Sequence, residues 1–268
     1  MTVSISGATI SGGVTTGNAV ALVTNGMLLN LIASNSLSYP GTGTTWTDLS
    51  GYNNNGTLVN SPTYSNGNFV LNGINQYAYL PATSGFFDIA TNSFFADVGY
   101  AWTVNAWFNF PVAPVGTRTG NQCFAIIGKS GGIGGGETLT LFVGSGTDST
   151  YGAYSPYYCA VGIRGTKTII SPAPVNTNVW NNATVTWNGS AARVYFNGID
   201  RGAASTATAA AIQTGYYFSI GVTGNSGAPA ASTMEFEGII GSVQAYNRAL
   251  SADEVTQNFY ASRGTYGV

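Results

Sequence analysis

The chain has no histidine. That removes the Ser–His–Asp and Cys–His nucleophilic systems as usually built, and the HExxH zinc motif with them. Charge is nearly as scarce. Asp, Glu, Lys and Arg make up 7% of the 268 residues, against about 25% in an average soluble domain. The net charge is −2 and no basic stripe exists, so nucleic acid is not an expected partner. A surface this poor in charge desolvates easily, which favours packing against other protein or against neutral polymers such as glycans. The two cysteines, Cys123 and Cys159, define no disulfide framework. Both lie in apolar, strand-like runs that suit buried thiols; a disulfide between them is the alternative. No run approaches the roughly 18 apolar residues of a membrane span. The start, Met1 to Gly7, has neither a basic segment nor a continuous apolar one, so no secretory signal is expected. The glycines of 131–136 lack the Lys-Ser/Thr of a phosphate-binding loop.

What is present is turn and strand material. The 37 glycines and 9 prolines are scattered among short apolar runs, and aromatics make up 13%. That reads as many turns joining many strands. Residues 1–25 are small and polar, and are expected to form an N-terminal arm; residues 26–268 are expected to form one domain. Trp102, Val104, Ala106, Phe108 and Phe110 alternate with Thr103, Asn105, Trp107 and Asn109, the period of a half-buried strand. Leu139, Leu141 and Val143 repeat the pattern, as do Tyr157, Cys159, Val161 and Ile163. Ala183, Val185 and Trp187 run to Asn188-Gly189, and Val194 and Phe196 run to Asn197-Gly198. Asn-Gly pairs suit hairpin turns that need φ > 0. Ser251 and Glu254 form a capping box, with Leu250 and Val255 placed as a hydrophobic staple, so a short helix is expected to close the chain. About a dozen strands and one helix imply an all-β fold of two stacked antiparallel sheets.

Several segments carry a resemblance. They are Trp46-Thr47-Asp48-Leu49-Ser50-Gly51 with Asn53-Asn54-Asn55-Gly56; Leu71-Asn72-Gly73-Ile74-Asn75-Gln76-Tyr77; Thr103-Val104-Asn105-Ala106-Trp107; Val185-Thr186-Trp187-Asn188-Gly189 with Val194-Tyr195-Phe196-Asn197-Gly198; and Ile240-Gly241-Ser242-Val243-Gln244-Ala245-Tyr246-Asn247-Arg248-Ala249-Leu250-Ser251. In order and spacing they resemble the laminin-G-like, concanavalin A-like jelly rolls of bacterial surface proteins and phage virion proteins, over residues 27–262. The resemblance implies a two-sheet jelly-roll sandwich. The first residues and the ending from Asn258 to Val268 resemble phage structural proteins. They imply a non-enzymatic virion component that decorates a capsid or belongs to a tail or fibre. Its partners would be other virion proteins, gripped through the arm, with a homo-oligomer plausible. It would be made in a host cytoplasm and reside in the virion. A carbohydrate-binding module is the alternative. Ile32 and the Gly241–Ser242 pair stand where the family often has Asp. Carboxylates that could hold calcium are therefore missing, and no cofactor is expected.

Two clusters are candidate ligand sites. Trp46, Asp48, Asn53 and Asn55 lie in a polar loop that could take a sugar or calcium, although Asp48 equally suits an Asx turn. Tyr151, Tyr154 and Tyr157 could stack on sugar rings. For catalysis, Glu235 and Glu237 are the best pair among ten carboxylates. Two residues along a strand span about 6.6 Å, within the separation used by glycosidases. The third carboxylate of related hydrolases is absent, so the expectation is that the chain is not an enzyme.

Overall fold

The computed structural model describes residues 4–5, 8–9, 20–80, 101–111, 122–129, 139–145, 147–148, 152–153, 158–163, 166–169, 175–204, 217–223 and 234–268. Tyr151, Tyr154 and Tyr157 lie outside them. Strands are numbered along the chain. One sheet holds β3 (Met27–Ile32), β6 (Thr63–Ser65), β7 (Asn68–Asn72), β9 (Trp102–Asn109), β16 (Trp180–Trp187), β17 (Ala192–Phe196), β18 (Ile199–Ala204) and β20 (Glu237–Tyr246). Its order is β18-β17-β16-β9-β20-β7-β6, with β3 and β7 sharing one edge of β20 end to end. The other sheet holds β4 (Thr45–Trp46), β5 (Gly56–Val59), β8 (Tyr77–Leu80), β10 (Gln122–Lys129), β11 (Leu139–Ser145), β14 (Tyr158–Ile163), β15 (Thr166–Ile169) and β19 (Phe218–Ile220), in the order β15-β14-β11-β10-β19-β8-β5-β4. Two small ribbons pair β1 (Ser4–Ile5) with β2 (Ala8–Thr9), and β12 (Thr147–Asp148) with β13 (Gly152–Ala153). The pairings are antiparallel throughout, as expected for a jelly-roll sandwich.

The core lies between the two large sheets. Val104, Ala106 and Phe108 of β9, Val185 of β16 and Val194 of β17 face Ile127, Leu141, Val143 and Val161 of the opposite sheet. The period-2 pattern places these residues inward by the pleat alone. The outer face of β9 is a different matter. Thr103, Asn105 and Trp107 are buried too, because a helix and the segment leading into it lie across them.

That helix, α1 (Ala252–Tyr266), has 15 residues and is longer than the capping signal implied. The capping box forms as expected: Ser251 Oγ accepts from the Glu254 N–H, and a Glu254 carboxylate oxygen accepts from the Ser251 N–H. Leu250 and Val255 pack in one cluster. Gly267, at φ 71°, ends the helix in the left-handed conformation that glycine takes without strain. On the underside, Tyr266 stacks on Trp107 with ring centres 4.4 Å apart, and Phe259 stacks on the same indole at 5.5 Å. The indole N–H donates to Ser262 Oγ over 2.9 Å.

Beneath the segment leading to α1, amides bridge four strands. Asn182 Nδ2 donates to Asn105 Oδ1 (2.6 Å), Asn105 Nδ2 to Gln244 Oε1 (3.1 Å), and Gln244 Nε2 to Asn30 Oδ1 (3.2 Å). Such a buried row costs little only because each member is paired.

Residues 20–25 lie on the domain, where Val23 N–H donates to Asn258 Oδ1 (2.8 Å) and Gln257 Nε2 donates to the Ala21 carbonyl (2.8 Å). Asn72-Gly73 does not close a hairpin. β7 and β8 belong to different sheets, so 73–76 is a crossover. Cys159 is buried, and burial pushes its pKa well above the usual range. The alternative disulfide to Cys123 does not form. β11 stands between the two strands, two spacings or about 9.6 Å, beyond the roughly 7 Å that a disulfide can bridge.

Candidate functional site

The polar loop that the sequence singled out is closed on itself. Asp48 Oδ1 accepts from the N–H groups of Asn30 (2.8 Å) and Ser50 (2.9 Å). Its Oδ2 accepts from Ser50 Oγ (2.6 Å) and the Asn54 N–H (3.0 Å). Asn55 Oδ1 takes the Asp48 N–H at 2.9 Å. Asp48 thus clasps its own loop to β3, as an Asx turn does. Trp46 is 1% exposed and edges onto Phe69 with ring centres 4.7 Å apart. It is a core residue and offers no face to a sugar. Asn53 is exposed, in a left-handed turn at φ 59°. Trp46 and Asp48 face inward while Asn53 faces out, so the four residues do not converge on one pocket.

Glu235 is buried, and Glu237 opens β20 opposite Asn72. β20 runs ten residues to Tyr246, roughly 30 Å. The pair therefore lies at the far end of this strand from the cleft described next.

The cleft opens where β16, β17 and β18 meet the turn before α1. It encloses about 450 Å³ and is lined on the strand side by Thr186, Arg193, Tyr195 and Asp200, with Leu250 and Ser251 on the turn side. The volume is in the range of small-molecule sites. Its strand wall follows from the Asn197-Gly198 turn. Both residues have positive φ, 52° and 74°, as a two-residue hairpin needs. That register sets Tyr195 opposite Asp200. Arg193 and Tyr195, two apart, share the outer face while Val194 points into the core.

Arg193 Nη2 meets Asp200 Oδ2 at 2.7 Å, and Asp200 Oδ1 accepts from the Gly202 N–H at 2.7 Å. Tyr195 shares the cleft wall with Thr186 and Arg193. Burial pushes its pKa up, with Asp200 adding to the rise, so the phenol stays protonated at neutral pH. The opposite wall is equally fixed. Thr103 Oγ1 donates to the Arg248 carbonyl (2.8 Å) and accepts from the Leu250 N–H (2.9 Å). Arg248 forks onto Glu254 at 2.7 and 2.6 Å and reaches the Asn25 carbonyl at 2.9 Å. That guanidinium holds the Glu254 carboxyl down to about 2.

Reasoning from sequence alone missed this cleft. One wall was readable from the hairpin register. The other comes from some fifty residues further along the chain, and no local pattern announces it. Among the described residues, no group of three or more Cys, Asp or Glu is placed to hold a metal ion, and no helix is long and apolar enough to cross a membrane.

The profile of the concanavalin A-like lectin/glucanases superfamily matches residues 72–256. A search of curated proteins finds no match. Among solved structures, the chain is similar to Trypanosoma rangeli sialidase, at 19% identity and a TM-score of 0.56, over 90% of this chain and 33% of that one. It is similar to domain 4 of AbnA, an extracellular arabinanase of Geobacillus stearothermophilus, at 17% identity and a TM-score of 0.52, over 87% of this chain and 97% of that one. It is also similar to the receptor-binding domain of the botulinum neurotoxin C/D mosaic serotype, at 14% identity and a TM-score of 0.52, over 88% and 51%. At these identities the likeness is one of fold. The chain spans about a third of the sialidase chains it matches.

One expectation is corrected by these likenesses and another goes without support. The phage-virion type finds no support among them. The expectation that the chain is not an enzyme is overturned: sialidase structures match it over nine-tenths of its length, so this fold occurs within sialidases. A missing third carboxylate was too narrow a reason to set catalysis aside.

Proposed function

The chain belongs to the concanavalin A-like lectin/glucanase superfamily, and from that premise we propose that it is a carbohydrate-recognition domain whose ligand, an oligosaccharide, sits in the cleft between β16–β18 and the turn before α1. The carrying observation is the cleft itself: about 450 Å³, with Arg193, Tyr195, Thr186 and Ser251 converging among small walls made by Ala191, Ala203 and Ala249. Fixed polar groups on a rigid sheet suit a ligand made of hydroxyls, because little ordering remains to be done on binding. Domain 4 of AbnA, of nearly the same extent, was solved with arabinotriose bound, which supports the reading.

The test is a glycan array with the wild type and Ala203→Trp. Ala203 is exposed, so the indole fills the cleft from its open side. The expected outcome is binding by the wild type and its loss in the variant at an unchanged melting temperature. No binding by the wild type, or equal binding by both, overturns the proposal. A second reading, turnover of the bound glycan, draws on the sialidase likeness. Chromatography of the same ligands after incubation reads it: shorter sugars support turnover, and intact ligand rejects it.

A further inference from the structure

The side-chain acceptors Asp200, Asn188 and Ser251 of the cleft each already hold a partner within the protein. Asp200 gives Oδ1 to the Gly202 N–H and Oδ2 to Arg193. Asn188 Oδ1 accepts three times within its own turn, from Ser190 N–H (3.0 Å), Ser190 Oγ (3.0 Å) and Ala191 N–H (2.8 Å). Ser251 Oγ accepts from the Glu254 N–H. Behind the turn, Arg248 and Glu254 hold each other, and Glu254 also accepts from the Ser251 N–H.

Donors remain. Arg193 has five N–H groups; Asp200 holds the guanidinium without using them all, and the Arg193 side chain is 57% exposed. Among the described residues, Asn188 Nδ2 has no partner, and the Ser251 hydroxyl keeps its proton for a ligand. A neutral sugar hydroxyl entering such a site meets donors, but for its own proton it must share acceptors that already hold a partner. An ionised carboxylate is acceptor-only and leaves nothing unpaired.

Resting on the proposed glycan recognition, we infer that this cleft selects saccharides that bear a carboxylate, with Arg193 meeting the acid group and Asn188 and Ser251 meeting neighbouring oxygens. Arg193 is set for the task by its ion pair with Asp200, which restricts its rotamers before the ligand arrives.

The experiment is a titration of the intact protein with paired probes: galacturonate-, glucuronate- and sialate-containing oligosaccharides, each against its own methyl ester. The ester keeps the shape and removes the charge. The wild type is expected to prefer at least one acid over its ester by roughly tenfold or more. Arg193→Gln keeps an amide donor and removes the cation, and is expected to shrink that preference to about twofold while ester binding persists. Equal binding of every acid and ester overturns this inference and leaves glycan recognition standing. A preference that survives Arg193→Gln overturns the role of Arg193. No binding of any probe, and none to the neutral members of the array, overturns the parent reading and this one with it.

Discussion

Gly241→Ala is expected to lift α1 from its sheet. A Cβ at Gly241 would stand 2.4 Å from Tyr266 Cε1 and 2.8 Å from its hydroxyl oxygen, over 1 Å inside ordinary contact between such atoms. The ring has nowhere to retreat. Trp107 stacks on it at 4.4 Å, Trp180 packs against it at 4.6 Å, and its hydroxyl bonds to Ser242. Overpacking of this kind costs about 1–3 kcal/mol, and about 2 kcal/mol in a chain of this length lowers the melting temperature by roughly 4–8 °C. Urea unfolding followed by tryptophan fluorescence reads it directly, since two of the five tryptophans touch Tyr266. Tyr266→Leu removes the obstruction at the expense of the stacking. In that background Gly241→Ala is expected to cost less than about 0.5 kcal/mol, a coupling of at least about 1 kcal/mol between neighbours. A single Gly241→Ala variant as stable as the wild type, or strict additivity in the double variant, refutes the packing of α1 on β20.

Two further perturbations probe the supports of the fold and the site. Glu254 titrates near 2 in the folded chain, chiefly through its hydrogen bonds from Arg248. A depressed carboxyl contributes stability that is present above its unfolded value near 4.5 and is lost as pH falls from there towards 2. With solvent screening of this partly exposed pair the loss is about 1 kcal/mol, and Glu254→Gln is expected to flatten that part of the stability–pH curve; parallel curves for the two proteins reject the linkage. Asp48→Ala strands the N–H groups of Asn30, Ser50 and Asn54, for an expected loss of about 3 kcal/mol in chemical denaturation. Glycan binding well below the melting temperature should be unchanged, and a selective loss of binding would return Asp48 to the ligand site.

The sequence by itself determined what is local. Period-2 alternation placed Val104, Ala106 and Phe108 in the core, because the pleat alternates faces regardless of what lies beyond. Ser251 and Glu254 announced the start of α1, because a capping box is made within four residues. Asn197-Gly198 determined that Tyr195 faces Asp200, because a two-residue turn sets the register. Tertiary structure decided what lies opposite each face. Period 2 reads Trp107 as an outward residue of a half-buried strand, yet it is buried because α1, some 150 positions away, crosses it. Gly241–Ser242 reads from the family pattern as a missing calcium ligand. In the fold, Gly241 is the close approach that admits Tyr266, and Ser242 bonds to the Tyr266 hydroxyl. The cleft follows the same division. Its strand wall is short-range and readable, whereas its second wall exists only once Thr103 has tied down the turn at 248–250. Chain-distant contacts of that kind leave no period and no motif, since neither partner's local conformation depends on the other's position in sequence.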